Sequence, residues 1–445
     1  AGGPSPVPGP SPPDDAPDLT GLLSDELLLR ILSHLPPPLR DSSGLVCKRW
    51  LRLLGRLRRS LTLLDWSFLD GPSRRLIARF PDLTDADLVP ASIVPPVIPS
   101  GILLTRGPAS VQLDSDFEAS GAPFSGFVAG CRFLPSDVVD RGLEVLARGC
   151  PGLQKLSMVA MASELGMVKV ADECPTLQEL DLHRCADMAL RPISAFRNLQ
   201  ILKLIGSVEG LYDGPGVSDI GLTILAHGCK RLVKLELSGC EGSYDGISAI
   251  GRCCLMLEEL TLCDHRMDAG WMAGLSFCGN LKTLRLQGCR RIDADPGPIE
   301  HLGSCPAIER LHLQRCQLRD KRSLNALLLV CEAVREIVFQ DCWGLDNDMF
   351  ALASICRRVK YLSLEGCSLL TTEGLESVIL SWKDLQRLRV VSCNKIRDSE
   401  VTPALSSLVS VLKELKWRPD SRSVLVTSLA GTGMGKKGGR FFKRT

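Results

Sequence analysis

The sequence predicts an α/β solenoid, a horseshoe with a parallel concave sheet and convex helices, preceded by a small helical unit. Three regularities carry this prediction. From Leu153 to Arg418 an apolar residue recurs at eleven starts: Leu153, Leu177, Leu199, Leu232, Leu257, Leu281, Ile308, Val334, Val359, Leu385 and Leu412. The steps between them run from 22 to 33 residues, most of them 24 to 27. With each start counted as zero, positions +3 and +5 are apolar in all eleven units, as in Leu232-Leu235-Leu237. Position −3 is Cys in eight units and position +8 is Cys in seven. A fixed period of this length marks stacked supersecondary units, each burying its apolar face on its neighbours.

The L-x-x-L-x-L-x-x-C pattern matches the leucine-rich-repeat template of a short strand, a turn and a returning helix. Residues 137–420 are expected to form regular repeats and residues 59–136 an irregular beginning to the same solenoid. The returning helices are clearest from Ser218 to Ala226 and from Thr372 to Leu380. Each opens with a Ser or Thr that can cap it and spaces its apolar residues for one buried stripe. The longest step, Leu199 to Leu232, has a surplus around Ser207 to Gly216 that predicts a rim loop. Within 59–136, Leu61 to Trp66 and Leu83 to Leu88 read as strand cores out of strict register. Pro90 to Pro135 holds no repeat, although Val111-Gln112-Leu113 is a candidate strand. It contains Phe117, Phe124, Phe127 and Phe133, four of the twelve Phe. Two readings stand for it: a loop over the concave face, or a poorly regular or disordered stretch.

Ahead of the repeats, residues 21–58 predict a compact helical unit. Ser24 is placed as an N-cap, with Asp25 and Glu26 in the first turn where the helix dipole favours carboxylates. Leu27, Leu28, Ile31, Leu32 and Leu35 form an apolar face, and Pro36-Pro37-Pro38 ends the helix. A second helix carries Leu45, Val46, Trp50, Leu51, Leu53 and Leu54 among basic residues. So short a unit cannot bury all these large side chains by itself, so it needs a partner.

Leu23-Ser24-Asp25-Glu26-Leu27-Leu28, Ile31-Leu32, Leu35-Pro36 and Val46-Cys47-Lys48-Arg49-Trp50 resemble the F-box, with Ser24 where the usual motif has Pro. An F-box followed by cysteine-containing leucine-rich repeats is similar to the F-box/LRR proteins, plant members most of all, over nearly all the chain after residue 20. The resemblance implies a substrate receptor of an SCF ubiquitin ligase. Leu23, Leu27, Leu28, Ile31, Leu35, Pro36, Val46 and Trp50 would then bind the adaptor subunit and, through it, cullin. The alternative for this unit is a helical cap on the repeats.

Composition narrows the remaining classes. A net charge of +2 supplies no global field for nucleic acid or a membrane surface. No apolar run reaches the roughly 18 residues of a membrane span. Residues 1–20 are expected to be a disordered leader and not a signal peptide, and 421–445 a basic, Gly-rich tail. Gly433-x-Gly435-x-x-Gly438 satisfies a dinucleotide pattern but is followed by too few residues for the phosphate-binding helix. Fifteen of the nineteen Cys recur in the −3 and +8 slots, the first of which also accepts Phe196, Trp382 and Val409, so they read as small buried hydrophobes in a reducing compartment, cytoplasm or nucleus. A zinc site from Cys253, Cys254, Cys263 and His265 is weighed and set aside, because Cys254 and His265 fall on the −3 and +8 slots. No nucleophile–base motif is present, and no catalytic residue is assigned.

The informative surface is the concave sheet. Alternation along a strand turns +2, +4 and +6 outward. These positions are acidic early (Glu179, Asp181) and basic later (Arg285, Arg310, His312, Arg387, Arg389, Lys416, Arg418). Either they form a solvated face, or they bind a target protein, an acidic peptide or an inositol-phosphate-like anion. In the last two units Glu414 is the one opposite charge expected near the cations. A receptor whose small-molecule ligand completes this surface is the second functional reading.

Overall fold

The leucine spacing sets the architecture seen in the computed structural model, which describes residues 19–70, 77–94, 132–206 and 216–420. The leader before Leu19, residues 95–131, residues 207–215 and the tail with its Gly433-x-Gly435 sequence lie outside the described residues. Thirteen strands pair in chain order into one parallel sheet. They are β1 (Ser60–Thr62), β2 (Asp85–Asp87), β3 (Lys155–Val159), β4 (Glu179–His183), β5 (Ile201–Ile205), β6 (Lys234–Ser238) and β7 (Glu259–Cys263), followed by β8 (Thr283–Gln287), β9 (Arg310–Gln314), β10 (Glu336–Gln340), β11 (Tyr361–Glu365), β12 (Arg387–Val391) and β13 (Glu414–Arg418). The register has no slip from β3 onward. Leu156, Leu180, Leu202, Leu235, Leu260, Leu284 and Leu311 are successive cross-strand partners, and all are fully buried. Each such side chain contributes about 1.5–3 kcal/mol, and a one-residue slip would turn the whole row to solvent.

The structure corrects the reading of the early strands. Leu61 and Ala86 align with Leu156, so β1 and β2 belong to the sheet in full register. Ala86 hid the second of these units, because the pattern demands a larger residue at +3, and the long insertion before Leu153 broke the period.

The returning segments are α-helices in some repeats, including Ser136–Gly149, Glu164–Glu173, Asp219–Gly228, Tyr244–Cys253, Lys321–Val330, Thr372–Ile379 and Pro403–Val411. Asp187–Ala195, with Pro192 inside it, is a 3₁₀ segment. Ser218 caps its helix as expected, but the cap of Thr372–Ile379 is Thr371, one residue earlier than the sequence suggested. Thr372 instead turns inward and hydrogen-bonds the Arg397 carbonyl.

Neighbouring units are also tied by a carboxylate from the preceding repeat. Asp187 accepts from the Ser218 amide and hydroxyl and the Gly221 amide, and Asp219 does the same for Ser243 and Gly246. A Cβ on Gly221 or Gly246 would collide with that carboxylate, which explains glycine three residues after the cap.

The cysteines form two buried rows. In the −3 row, Cys254 donates to the Cys229 carbonyl (3.3 Å) and Cys305 to that of Cys278 (3.4 Å). In the +8 row, Cys316 reaches Leu286 O (3.4 Å) and Cys342 reaches Leu313 O (3.2 Å) in the unit before. A thiol therefore suits the slot as a small hydrophobe with one weak donor. Burial pushes the thiols of Cys229, Cys254 and Cys356 up to about 12, so they stay protonated. All the cysteines of the described residues are free.

His265 replaces Cys in the second row. It is buried against the Trp271 ring, and its Nδ1 accepts from the Met267 amide, so it is held neutral, with burial pulling its pKa down to about 4. The unfolded chain protonates below about 6.5 while the folded one does not, so stability falls as pH drops from about 6.5 towards 4. Replacing His265→Cys restores the row. The variant is expected to lose about 2 kcal/mol less than wild type between about pH 7.5 and pH 5, read from denaturant midpoints at each pH. Parallel pH profiles would contradict this account of His265.

Candidate functional site

Two surfaces stand apart from the buried rows. The first is the N-terminal helical unit, built from α1 (Asp25–Ser33), α2 (Pro37–Ser43) and α3 (Lys48–Leu57). Ser24 Oγ caps α1 by accepting from the Leu27 amide. Pro37 does not merely end α1: it opens α2, where its fixed φ suits a first helical position. Leu28 and Leu32 of α1 meet Leu53 and Leu54 of α3 in a small core, onto which Leu23, Leu35 and Trp50 pack half-buried.

Leu28 is only 1% exposed and offers no surface to a partner, which corrects its place among the expected adaptor contacts. On the other side of α1, Leu27 and Ile31 stay about half exposed, at 52% and 51%, beside a groove they line with Arg30, His34 and Leu35. Val46 is 64% exposed just before α3, and Pro36 is also exposed. A bracket missed in the sequence closes the unit. Arg49 donates to Asp25 (2.8 Å) and to the Thr20 and Leu23 carbonyls, and Arg52 reaches the second Asp25 oxygen (3.1 Å). The Arg49 hydrogen bond holds the Asp25 carboxyl below its ordinary range.

The second surface is the concave face. The long side chains at +2 and +4 reach the surface as expected, whereas the short Ser157, Thr261, Thr283 and Ser363 are buried there, and +6 is exposed only in part. Val159, His183, Ile205, Ser238 and Cys263 are buried there, whereas the longer Gln287, Gln314, Gln340 and Glu365 reach past the sheet edge and are partly exposed.

The charges alternate across strands and do not form one basic field. Lys155 pairs with Glu179 (2.6 Å), Lys203 with Glu236 (3.0 Å), and Lys234 with Glu259 (3.1 Å). Asp181 faces His183 at 3.4 Å. Burial raises the Glu259 carboxyl, but the hydrogen bond from Lys234 and the charges of Lys234 and Arg285 outweigh it and leave it lowered.

In the later units Arg285 Nε meets Glu259 (3.1 Å) and Arg285 Nη1 donates to His312 Nδ1 (3.0 Å). His312 Nε2 lies 3.3 Å from Glu336, and this contact holds the Glu336 carboxyl below its ordinary range. Arg310 donates to Thr283 Oγ1. Arg387 stacks over Tyr361 and lies 4.0 Å from Glu336, and Arg389 pairs with Glu365 at 2.9 Å. The expectation that Glu414 alone offsets the cluster is therefore overturned, because Glu336 and Glu365 reach it from the two preceding strands. Lys416 and Arg418 remain exposed on the last strand.

No protein-family model matches the chain. It is 26% identical over 343 residues to F-box/LRR-repeat protein 12 of Homo sapiens, covering 70% of this chain and 92% of that protein. It is 23% identical over 350 residues to GRR1-like protein 1 of Arabidopsis thaliana, covering 72% of this chain and 58% of that protein. The alignment thus spans little more than half of the plant relative. Among solved structures, an internalin of Listeria monocytogenes is 13% identical, with a TM-score of 0.36 over 65% of this chain and 80% of its own. The yeast Rad7 and Elc1 complex is also 13% identical, with a TM-score of 0.33 over 86% of this chain and 92% of its own.

The two sides of α1 make a prediction. Leu28→Ala empties a buried site and is expected to cost about 2–5 kcal/mol, opening residues 24–57 to limited proteolysis. Leu27→Ala trims an exposed side chain and should leave the cleavage rate near wild type; equal cleavage of the two variants would contradict the assignment of faces. With a human and a plant relative aligned over more than two thirds of its length, the chain has F-box/LRR-repeat proteins as its homologues.

Proposed function

We propose that the chain is the non-catalytic substrate-recognition subunit of an SCF-type ubiquitin ligase. The observation that carries this reading is the exposed apolar surface of Leu27 and Ile31 on α1, with Val46 also exposed just before α3. It stays exposed on a unit whose own small core is already filled by Leu28, Leu32, Leu53 and Leu54. Exposed large side chains on an otherwise closed unit are what an adaptor-binding surface requires. The adaptor would link the chain to cullin, while the concave face holds a target protein for ubiquitin transfer by other subunits. Free buried thiols support an intracellular setting, cytoplasm or nucleus. No helix among the described residues is long and apolar enough to cross a membrane.

Among the described residues, direct recognition of a protein fits the concave face better than a hormone-type co-receptor does. The cleft in the middle of the concave face holds only about 60 Å³, whereas small-molecule sites occupy roughly 300–1,000 Å³. An inositol-phosphate-like anion is also too large for this cleft, whereas Lys416 and Arg418 are exposed on the last strand.

The double substitution Leu27→Asp with Ile31→Asp is expected to weaken adaptor binding by at least about 100-fold, since buried apolar anchors carry about 2 kcal/mol or more each. Calorimetric titration of the adaptor into the full chain reads this directly. Hydrogen exchange of the repeats should not change. Undiminished adaptor affinity in the folded double variant would remove the ligase reading.

A further inference from the structure

The middle of the concave face carries hydrogen-bonding groups that its ion pairs leave unused. Gln287, Gln314 and Gln340 end β8, β9 and β10 and face one another in register, about 4.8 Å apart from strand to strand. Gln287 Oε1 accepts the Cys263 thiol. Among the described residues the carboxamides of Gln314 and Gln340 have no protein partner. With Arg285, His312 and Val338 the three glutamines line the small cleft. Its volume of about 60 Å³ matches roughly two water molecules, so it admits one short polar group and nothing larger.

The charge around the cleft selects among such groups. Arg285 is committed to Glu259 and His312, and Glu336 stands beside His312. A carboxylate entering here would meet two acidic neighbours and an arginine already paired. A carboxamide carries no charge to desolvate, and it donates and accepts at once, as the glutamines do. An apolar side chain would cover the carboxamides of Gln314 and Gln340 and give them no partner.

We propose that this cleft reads one carboxamide side chain, Asn or Gln, in an extended segment of the target protein. The inference rests on the concave face being the target-binding surface. The test pans a displayed random-dodecapeptide library against the full chain in complex with the adaptor. Enriched peptides are expected to share an Asn or Gln whose replacement by Asp or Leu weakens binding about tenfold or more, as loss of one or two hydrogen bonds requires. The variant Gln314→Ala with Gln340→Ala should weaken the same peptides to a similar degree. These side chains are partly exposed and outside the core, so the variant is expected to keep its melting temperature and its adaptor affinity. Peptides centred on Asp or Glu, peptides indifferent to the two glutamines, or no enriched peptide at all would each overturn the proposal. Adaptor affinity, measured in parallel, separates these outcomes from failure of the receptor reading itself.

Discussion

In-register parallel pairing of the strands is the constraint on which the rest of the structure depends. Because each residue faces the same position of the next unit, every slot becomes a row, and the inward +3 and +5 rows keep one buried environment from β3 to β12. The +3 leucines are therefore buried together and the +2 and +4 side chains meet as neighbours about 4.8 Å apart. The helices and turns follow. A strand ending at +6 must reverse within two residues, and position +7 takes a left-handed conformation at Arg184, Arg315, Asp341 and Ser392 as well as at Gly239, Gly288 and Gly366. A non-glycine residue there carries a local cost of order 1 kcal/mol or more, accepted at several repeats.

The same rows explain why cysteine is common without disulfides among the described residues. Stacking brings the backbone carbonyls of one unit against the inward positions of the next, and a thiol fills that slot while donating weakly to the carbonyl. It also shapes the electrostatics of the concave face. A cation on one strand selects an acid on a strand beside it, since like charges directly opposite are destabilising. The chain Glu259, Arg285, His312, Glu336 and Arg387 is the clearest result. Such a face is nearly neutral locally, so shape and hydrogen bonding decide what it holds more than net charge does.

Much of this was legible in the sequence, and the failures have physical causes. The period, the buried positions and the Ser24 and Ser218 caps were readable because each is a local or strictly repeated signal, whereas α2 was hidden by Pro36-Pro37-Pro38, which reads as a helix stop. Leu28 could not be told from Leu27 by apolar character, because the side of α1 that faces α3 depends on how the helices pack. The bracket between Asp25 and Arg49 joins residues far apart in sequence, although an acid at one helix start and a base at the next was a visible hint. Glu414 is the one acid within the last two units, and the acids that reach Arg387 and Arg389, Glu336 and Glu365, lie in the units before them. The glutamine row at +6 was overlooked because attention went to charge, yet the same residue type at one slot of three successive repeats was its signal.

The central claim is that one chain carries two independent surfaces, an adaptor surface on the N-terminal helices and a target face on the sheet. Hydrogen–deuterium exchange of the full chain, alone and with the SCF adaptor subunit, tests this most directly. The account predicts new protection confined to residues 22–57, with the strands from β3 to β13 unchanged. Protection that appears on the concave strands, or none in residues 22–57 at saturating adaptor, would contradict it.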